Sequence, residues 1–239
     1  MNIVERSIQK VREDGFASFI REAYKTIYRS ISRSVIQPIL FKLYEFGLLD
    51  VDNLYKPQYY DNMARGAARD DAHKFSSVLN AKYDPDFVID IGCGVGRFLE
   101  YFQLNGLKVI GYDGSKYACE NPVNDDITIH YHDLTNPLHF ENEADLVMCI
   151  EVLEHLPNEA AATAVKTISR AGPIAVVTAA EPGQGGTYHV NEQQPSFWID
   201  LFESEGMAYD KSDSKQLSDV TGFDELDWLN GDIYVFKQV

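Results

Sequence analysis

Few cysteines, few bases and no long apolar run mark this sequence, and each shortage closes off a class of protein. The three cysteines (Cys93, Cys119 and Cys149) are odd in number and lie in apolar or glycine-rich contexts. They argue for a reducing compartment and against a disulfide framework. Lys and Arg total 21 against 37 Asp and Glu, a net charge of −16. General nucleic-acid binding rests on neutralising phosphates, so no nucleic-acid partner is expected. Nowhere do apolar residues run for the roughly 20 positions of a membrane span. The opening MNIVERSIQK lacks the short apolar core of a secretory signal, so a cytoplasmic location is expected.

What is present is ample core: 239 residues, 45% of them hydrophobic, make one large or two small domains. Charge is unevenly placed. Residues 1–42 hold eight Lys/Arg and four Asp/Glu, about +4, and the rest holds 13 against 33, about −20. The spacing of Ile8, Val11, Phe16, Phe19, Ile20, Ala23, Tyr24, Ile27 and Ile31 predicts an amphipathic helix that Pro38 ends. Residues 1–57 are read as a basic helical arm and 58–239 as the main domain, beginning with a helix over 58–80.

From Asp86 the period changes. Strands are predicted at 87–92, 108–113, 126–133, 144–150, 173–179 and 232–239, with helices at 97–106, from Ser115, at 157–170 and at 195–205. The acidic stretch 210–228 is expected to join the last helix to a closing β-hairpin. Strands alternating with helices imply an α/β, Rossmann-like parallel sheet covered on both faces.

The first strand ends in Asp90-Ile91-Gly92-Cys93-Gly94-Val95-Gly96. A glycine loop at the carboxyl edge of such a sheet lets the backbone approach a ligand closely. The third glycine comes one residue earlier than in the dinucleotide fingerprint G-x-G-x-x-G. Asp90, two residues before the first glycine, would repel pyrophosphate but suits a ligand with an ammonium group. S-adenosylmethionine has one, and a sulfonium besides. Asp113 ends the second strand, placed to accept both ribose hydroxyls. Asp133 can accept from the adenine amino group, with Leu134 beside the ring. Cys93 is read as a small packing residue rather than a reactive one.

These segments, D-I-G-C-G-x-G, Y-D-G-S, H-D-L and A-D-L-V-x-x-x-E-V-L-E-H-L, resemble the successive motifs of class I S-adenosylmethionine-dependent methyltransferases over about residues 60–239. The resemblance implies a seven-stranded, mostly parallel sheet with a reversed last strand. It places the cofactor on Asp90, Gly92, Cys93, Gly94, Gly96, Asp113, Gly114, Ser115, Asp133, Leu134, Ile150 and Glu151. The loop after strand five carries G-G-x-x-H-V-N-E-Q-x-P-x-x-W, which resembles methyltransferases of surface-glycan pathways, including those acting on hexuronic acids. A sugar or glycan acceptor, lipid-linked or nucleotide-activated, is thus expected on Tyr188, Asn191, Gln194 and Trp198, the last as an aromatic platform.

Transfer to a hydroxyl oxygen needs a base, and His189 and His155 are the candidates, His189 first because it lies on the substrate-side loop. A carboxylate acceptor would need none. Glu151, Glu154 and His155 stand at i, i+3, i+4, and with His189 would offer two carboxylates and two imidazoles. A similar E-x-x-E-H with a distal His is the metal site of ubiquinone-biosynthesis and small-RNA O-methyltransferases. The same run lines the pocket in metal-free members, and the primary expectation is no metal. The rival readings are an NAD(P) oxidoreductase, which the glycine spacing and Asp90 oppose, a small-RNA enzyme, which the acidic body opposes, and a non-catalytic cofactor-binding partner. The arm can serve as a lid, as a docking helix, as a helix packed on the core, or as a contact to an anionic membrane through Arg6, Lys10, Arg12, Arg21, Lys25, Arg29 and Arg33.

Overall fold

The structure, a computed structural model, describes residues 51–239 other than 187, 221, 227, 228, 230 and 232. The basic arm over 1–50 lies outside the described residues. Two short helices, α1 (Val51–Leu54) and α2 (Pro57–Met63), precede α3 (Ala67–Tyr83). The sequence predicts one helix over 58–80. The chain instead breaks at Gly66, whose φ of +64° is open to glycine at little cost.

A seven-stranded sheet follows, in spatial order β3-β2-β1-β4-β5-β7-β6. Its strands are β1 (Phe87–Ile91), β2 (Lys108–Asp113), β3 (Ile129–Tyr131), β4 (Leu146–Ile150), β5 (Ile174–Thr178), β6 (Met207–Tyr209) and β7 (Tyr234–Gln238). The first five run parallel, and β7 runs antiparallel to both β5 and β6. This is the Rossmann-like methyltransferase arrangement with a reversed last strand. Chain order reverses at β1, which pairs with both β2 and β4, so a crevice opens at its carboxyl end.

Helices α4 (Arg97–Leu104), α5 (Lys116–Glu120), α6 (Ala161–Ser169), α7 (Pro195–Ser204) and α8 (Lys211–Ser218) complete the fold. Every residue of β1 and β4 is buried, because a parallel sheet is covered on both faces. Alternation sorts them. Ile89 and Ile91 join a core with Val165, Ile168, Trp198 and Phe202, while Val88 joins a second with Phe75, Leu79, Phe98 and Phe102. Asp90 therefore faces the α3–α4 side.

Two elements depart from the sequence reading. The strand predicted over 126–133 shrinks to three residues, because Asn124 takes the N–H of Asp126 on its side chain and that of Ile127 on its carbonyl. The acidic stretch is not a plain connection: β6 precedes it, and α8 forms within it, capped by Asp210 accepting from the Asp213 N–H at 2.9 Å. The stretch is pinned further along by the buried Asp71, which accepts the N–H groups of Asp224, Glu225 and Leu226 at 2.8–3.0 Å.

Candidate active site

The crevice has a donor half, built from the ends of β1, β2 and β3, and an acceptor half, built from the chain following β4 and β5. In the donor half, Gly92 turns at φ +78°, and a Cβ there would lie 2.4 Å from a Val152 methyl. Gly94 turns at +55° under Tyr60 and Met63. Cys93 packs its sulfur against Gly111 of β2, where a Cβ would lie 2.5 Å away. Burial raises its thiol well above the ordinary range, so Cys93 is a packing residue.

Asp90 is 1% exposed, and neither of its oxygens has a hydrogen-bond partner. Burial, and then the nearby Asp113, push its carboxyl up to about 8, against the opposing pull of Arg97. Asp113 accepts the Gly94 N–H at 2.7 Å and the Ser115 N–H at 2.8 Å. Each oxygen keeps a further acceptor position. Ser115 caps α5 by accepting from the Ala118 N–H, and donates its hydroxyl to Asp52. Gly114 and Gly96 complete the turns on either side. Asp133 is brought to the same edge by the bond from the His132 N–H to the Asp113 carbonyl, and its Oδ1 accepts from the N–H and hydroxyl of Thr135. Leu134 is buried in the core beside it.

These groups fit S-adenosylmethionine: an orphaned buried carboxylate for an ammonium, a turn of three positive-φ glycines with no room for a side chain at Gly92, and a carboxylate for a ribose. Asp90, the Gly92–Gly96 turn and Asp113 would hold it.

In the acceptor half, Ile150 ends β4 and Glu151 turns at φ +56°, its N–H donating to the Thr178 hydroxyl at 2.9 Å. A non-glycine residue held there costs on the order of 1–3 kcal/mol, and such positions cluster at functional sites. Tyr188, at φ +62°, is a second. The turn over Leu153–His155 then buries Glu154 completely, with neither carboxylate oxygen bonded. Burial and the adjacent Glu151 raise Glu154 to about 9.

The Glu154 carbonyl accepts the N–H groups of Val190 and Asn191 at 2.9 and 3.1 Å, drawing the loop after β5 over the turn. The rings of His155 and His189 thereby meet edge to face, 4.9 Å apart. Glu154, His155 and His189 each offer one ligand atom, all within 4.8 Å of one another. Glu151 is near enough to affect Glu154 but is not part of that trio. His155 Nδ1 lies 2.9 Å from the Tyr55 hydroxyl and 3.3 Å from the Tyr188 carbonyl. Burial lowers its pKa to about 4, leaving a neutral ring at neutral pH. His189 Nδ1 lies 3.2 Å from Glu192 Oε1. Glu192 also accepts the N–H groups of Gly183 and Gly185, which hold it below the usual carboxylate range. An ionised carboxylate only accepts, so His189 presents Nδ1–H to it and keeps the lone pair on Nε2.

Of the expected acceptor residues, Tyr188 and Asn191 line this cluster. Asn191 is buried, with an unpartnered amide nitrogen. Gln194 is exposed at the start of α7. Trp198 corrects its expectation: at 1% exposure it fills the core under α7, because its place one turn into an amphipathic helix points it inward, so it is no platform for a ligand. Sequence reasoning missed Asp52 and Tyr55, assigned to the arm, although both bond into the domain. It also missed Glu192 and Arg97. The aromatic run Tyr55, Tyr59 and Tyr60 was the available signal.

Fold and site together define an S-adenosylmethionine-dependent methyltransferase. The family model described as Methyltransferase domain matches residues 60–224, and the chain belongs to that family. Curated relatives include the ubiquinone biosynthesis O-methyltransferases of Photobacterium profundum, 33% identical over 32% of this chain, and of Hydrogenovibrio crunogenus, 33% identical over 39%. The alignments span only 36% and 42% of those relatives. Similar solved structures include a sugar N-methyltransferase from Streptoalloteichus (TM-score 0.58, 12% identity, 76% of this chain and 91% of that one). Another is the magnesium protoporphyrin IX methyltransferase of Synechocystis with S-adenosylhomocysteine bound (TM-score 0.56, 17% identity, 90% and 100%). No helix among the described residues is long and apolar enough to cross a membrane.

Proposed function

We propose that this chain methylates a hydroxyl oxygen of a sugar, lipid-linked or nucleotide-activated, in the assembly of a surface glycan. The observation that carries this reading is the meeting of His155 and His189 over Glu154, with Glu192 behind His189. When bound, the cofactor supplies an electrophilic methyl group on a sulfonium. His189 Nε2 would take the acceptor's proton, and Glu192 would stabilise the imidazolium. His155, held neutral by burial, is the poorer proton acceptor and orients the hydroxyl instead. Asn191 offers its unpartnered amide to a neighbouring oxygen. The burial that raises Glu154 to about 9 penalises an anionic acceptor in the same place, which favours a hydroxyl over the carboxylate of a hexuronic acid.

The polar loop 181–194 supports a sugar, and solved structures of this fold include a sugar and an amino pentose methyltransferase. A lipid-linked acceptor would give the basic arm an anionic membrane surface to lie on.

The trio Glu154, His155 and His189 also supports a second reading. With Glu151 nearby, these residues would hold Mg²⁺, Mn²⁺ or Zn²⁺, which lowers the pKa of an acceptor hydroxyl on a small molecule, as the names of the curated relatives suggest. The test is methyl transfer from labelled cofactor by the full chain to hexoses, hexuronic acids and a catechol, each with chelator or with added Mg²⁺. Chelator-resistant transfer to a sugar hydroxyl supports the first reading. Mg²⁺-dependent transfer to the catechol supports the second and rejects the first. No transfer to any of them overturns both.

A further inference from the structure

Tyr188 is held at φ +62°, where a bulky side chain is strained by on the order of 1–3 kcal/mol. Such strain persists where it positions a group for use. The ring so positioned lies 5.3 Å from that of Tyr55. Tyr55 in turn lies 4.9 Å from Tyr59 and 5.9 Å from His155, and His155 lies 4.9 Å from His189. A continuous run of rings thus leads from the candidate base outwards to Tyr59, which is 42% exposed. Val190, bonded through its N–H to the Glu154 carbonyl, adds a second exposed apolar side chain at the same mouth.

The strap that carries Tyr55 and Tyr59 is fastened to the domain. Asp52 accepts from the Ser115 hydroxyl and from the Lys116 N–H at 3.1 Å, and Asp61 accepts from the Tyr117 hydroxyl at 2.7 Å. Tyr60, buried 5.4 Å from the Tyr59 ring, packs over Gly94. Tyr55 spends its hydroxyl on His155. The hydroxyls of Tyr59 and Tyr188 have no hydrogen-bond partner among the described residues, so both can bond a ligand.

We propose that Tyr59 and Tyr188 are specificity residues of the acceptor site, packing their rings against the C–H face of the acceptor's pyranose while their hydroxyls bond the hydroxyls on its rim. Tyrosine suits this role because two χ angles hold a large, rigid, amphipathic surface at small entropic cost. Their ring planes meet that of Tyr55 at 43° and 74°, so neither lies parallel to it to sandwich a flat aromatic. A puckered ring, with C–H bonds on its face and hydroxyls round its rim, fits tilted walls better. The two tyrosines fill the role that Trp198, buried in the core, does not. This platform rests on the sugar-acceptor reading and not on which histidine is the base.

The experiment is saturation-transfer difference NMR on the full chain with S-adenosylhomocysteine, irradiating aromatic protons. The probes are the methyl β-pyranosides of glucose, galactose and mannose, and catechol. At least one glycoside should receive saturation on the protons of one ring face at least twofold more strongly than on the other. Tyr59→Leu and Tyr188→Leu should each cut that transfer at least twofold, and Tyr59→Phe, which keeps the ring, should retain it. Equal saturation of both faces overturns the platform even if Tyr188→Leu does not fold, as does transfer unchanged in Tyr59→Leu. Either result leaves the sugar reading standing. No transfer to any glycoside, whether or not catechol binds, removes the sugar acceptor and the platform with it.

Discussion

In the donor half of the crevice, Asp90 is buried with neither oxygen partnered, whereas in the acceptor half His155 and His189 are each held by a neighbour, Tyr55 and Glu192. The donor half is set by the five-residue turn Gly92–Gly96, whose three glycines all take positive φ. The acceptor half is drawn together by a loop that reaches across from β5 and bonds to the Glu154 carbonyl. The difference teaches what each half awaits. A buried carboxyl with no partner wants a ligand group that bonds it. An imidazole already oriented by a carboxylate wants a proton to move. Donor binding and chemistry should therefore be separable by substitution.

The sharpest test of that separation is His189→Ala. Loss of a general base should lower kcat by about 10²–10⁴-fold, with S-adenosylhomocysteine affinity within twofold of the unmodified value. A large loss of cofactor affinity would break the division into halves. From the other side, Asp113→Ala removes a ribose acceptor and the carboxylate that fixes Gly94 and Ser115. Cofactor affinity should fall tenfold or more, about 1.4 kcal/mol per decade; unchanged binding by calorimetry would take Asp113 out of the site.

Asp90 gives the comparison a pH axis. Its carboxyl titrates near 8 in the ligand-free protein, so below that pH it carries a proton that an incoming ammonium must displace. S-adenosylhomocysteine binding should tighten from pH 6 towards 8, by up to about tenfold per unit, with proton release visible in buffers of different ionisation enthalpy. The sign for stability is the reverse. The folded state holds this proton more tightly than the unfolded chain between pH 3.8 and about 8, so stability falls as pH rises through that window. Asp90→Asn should raise the melting temperature at pH 8 while weakening the cofactor, a trade of stability for function. A lower melting temperature would mean that Asp90 has a partner in the fold.

The donor half was legible in the sequence because its determinants are local. A buried strand, three glycines at alternate positions and an acid at the end of the next strand specify a turn whatever surrounds it. The acceptor half was legible only as residue types. His155 and His189 could be named, but their meeting depends on backbone bonds from Val190 and Asn191 to Glu154, which no spacing announces. Trp198 was misjudged for the same reason: it follows a polar loop, and only the phase of α7, which buries Trp198 and Phe202 together, shows that it points inward. Glu192 went unnoticed because its role appears only once the loop has closed on Gly183, Gly185 and His189. Tyr55 fell on the arm side of a boundary drawn at residue 57, beyond the amphipathic pattern that Pro38 ends.

Tyr55 supplies the smallest expected effect and the finest test of what holds the acceptor half. Its hydroxyl meets His155 Nδ1, and its ring packs edge-on against His155 and Tyr188. Burial is the first cause of the low His155 pKa, ahead of repulsion from His189. Tyr55→Phe keeps the ring and so keeps the burial. It should leave His155 near 4 in an NMR titration and cost no more than about fivefold in kcat, the scale of one neutral hydrogen bond. Tyr55→Ala removes the ring and admits water, so the His155 pKa should climb towards the ordinary 6.5. If the phenylalanine variant raised the pKa as far as the alanine variant, the hydroxyl rather than burial would be keeping the imidazole neutral. The two histidines would then be alike, each controlled by a single hydrogen-bonding neighbour.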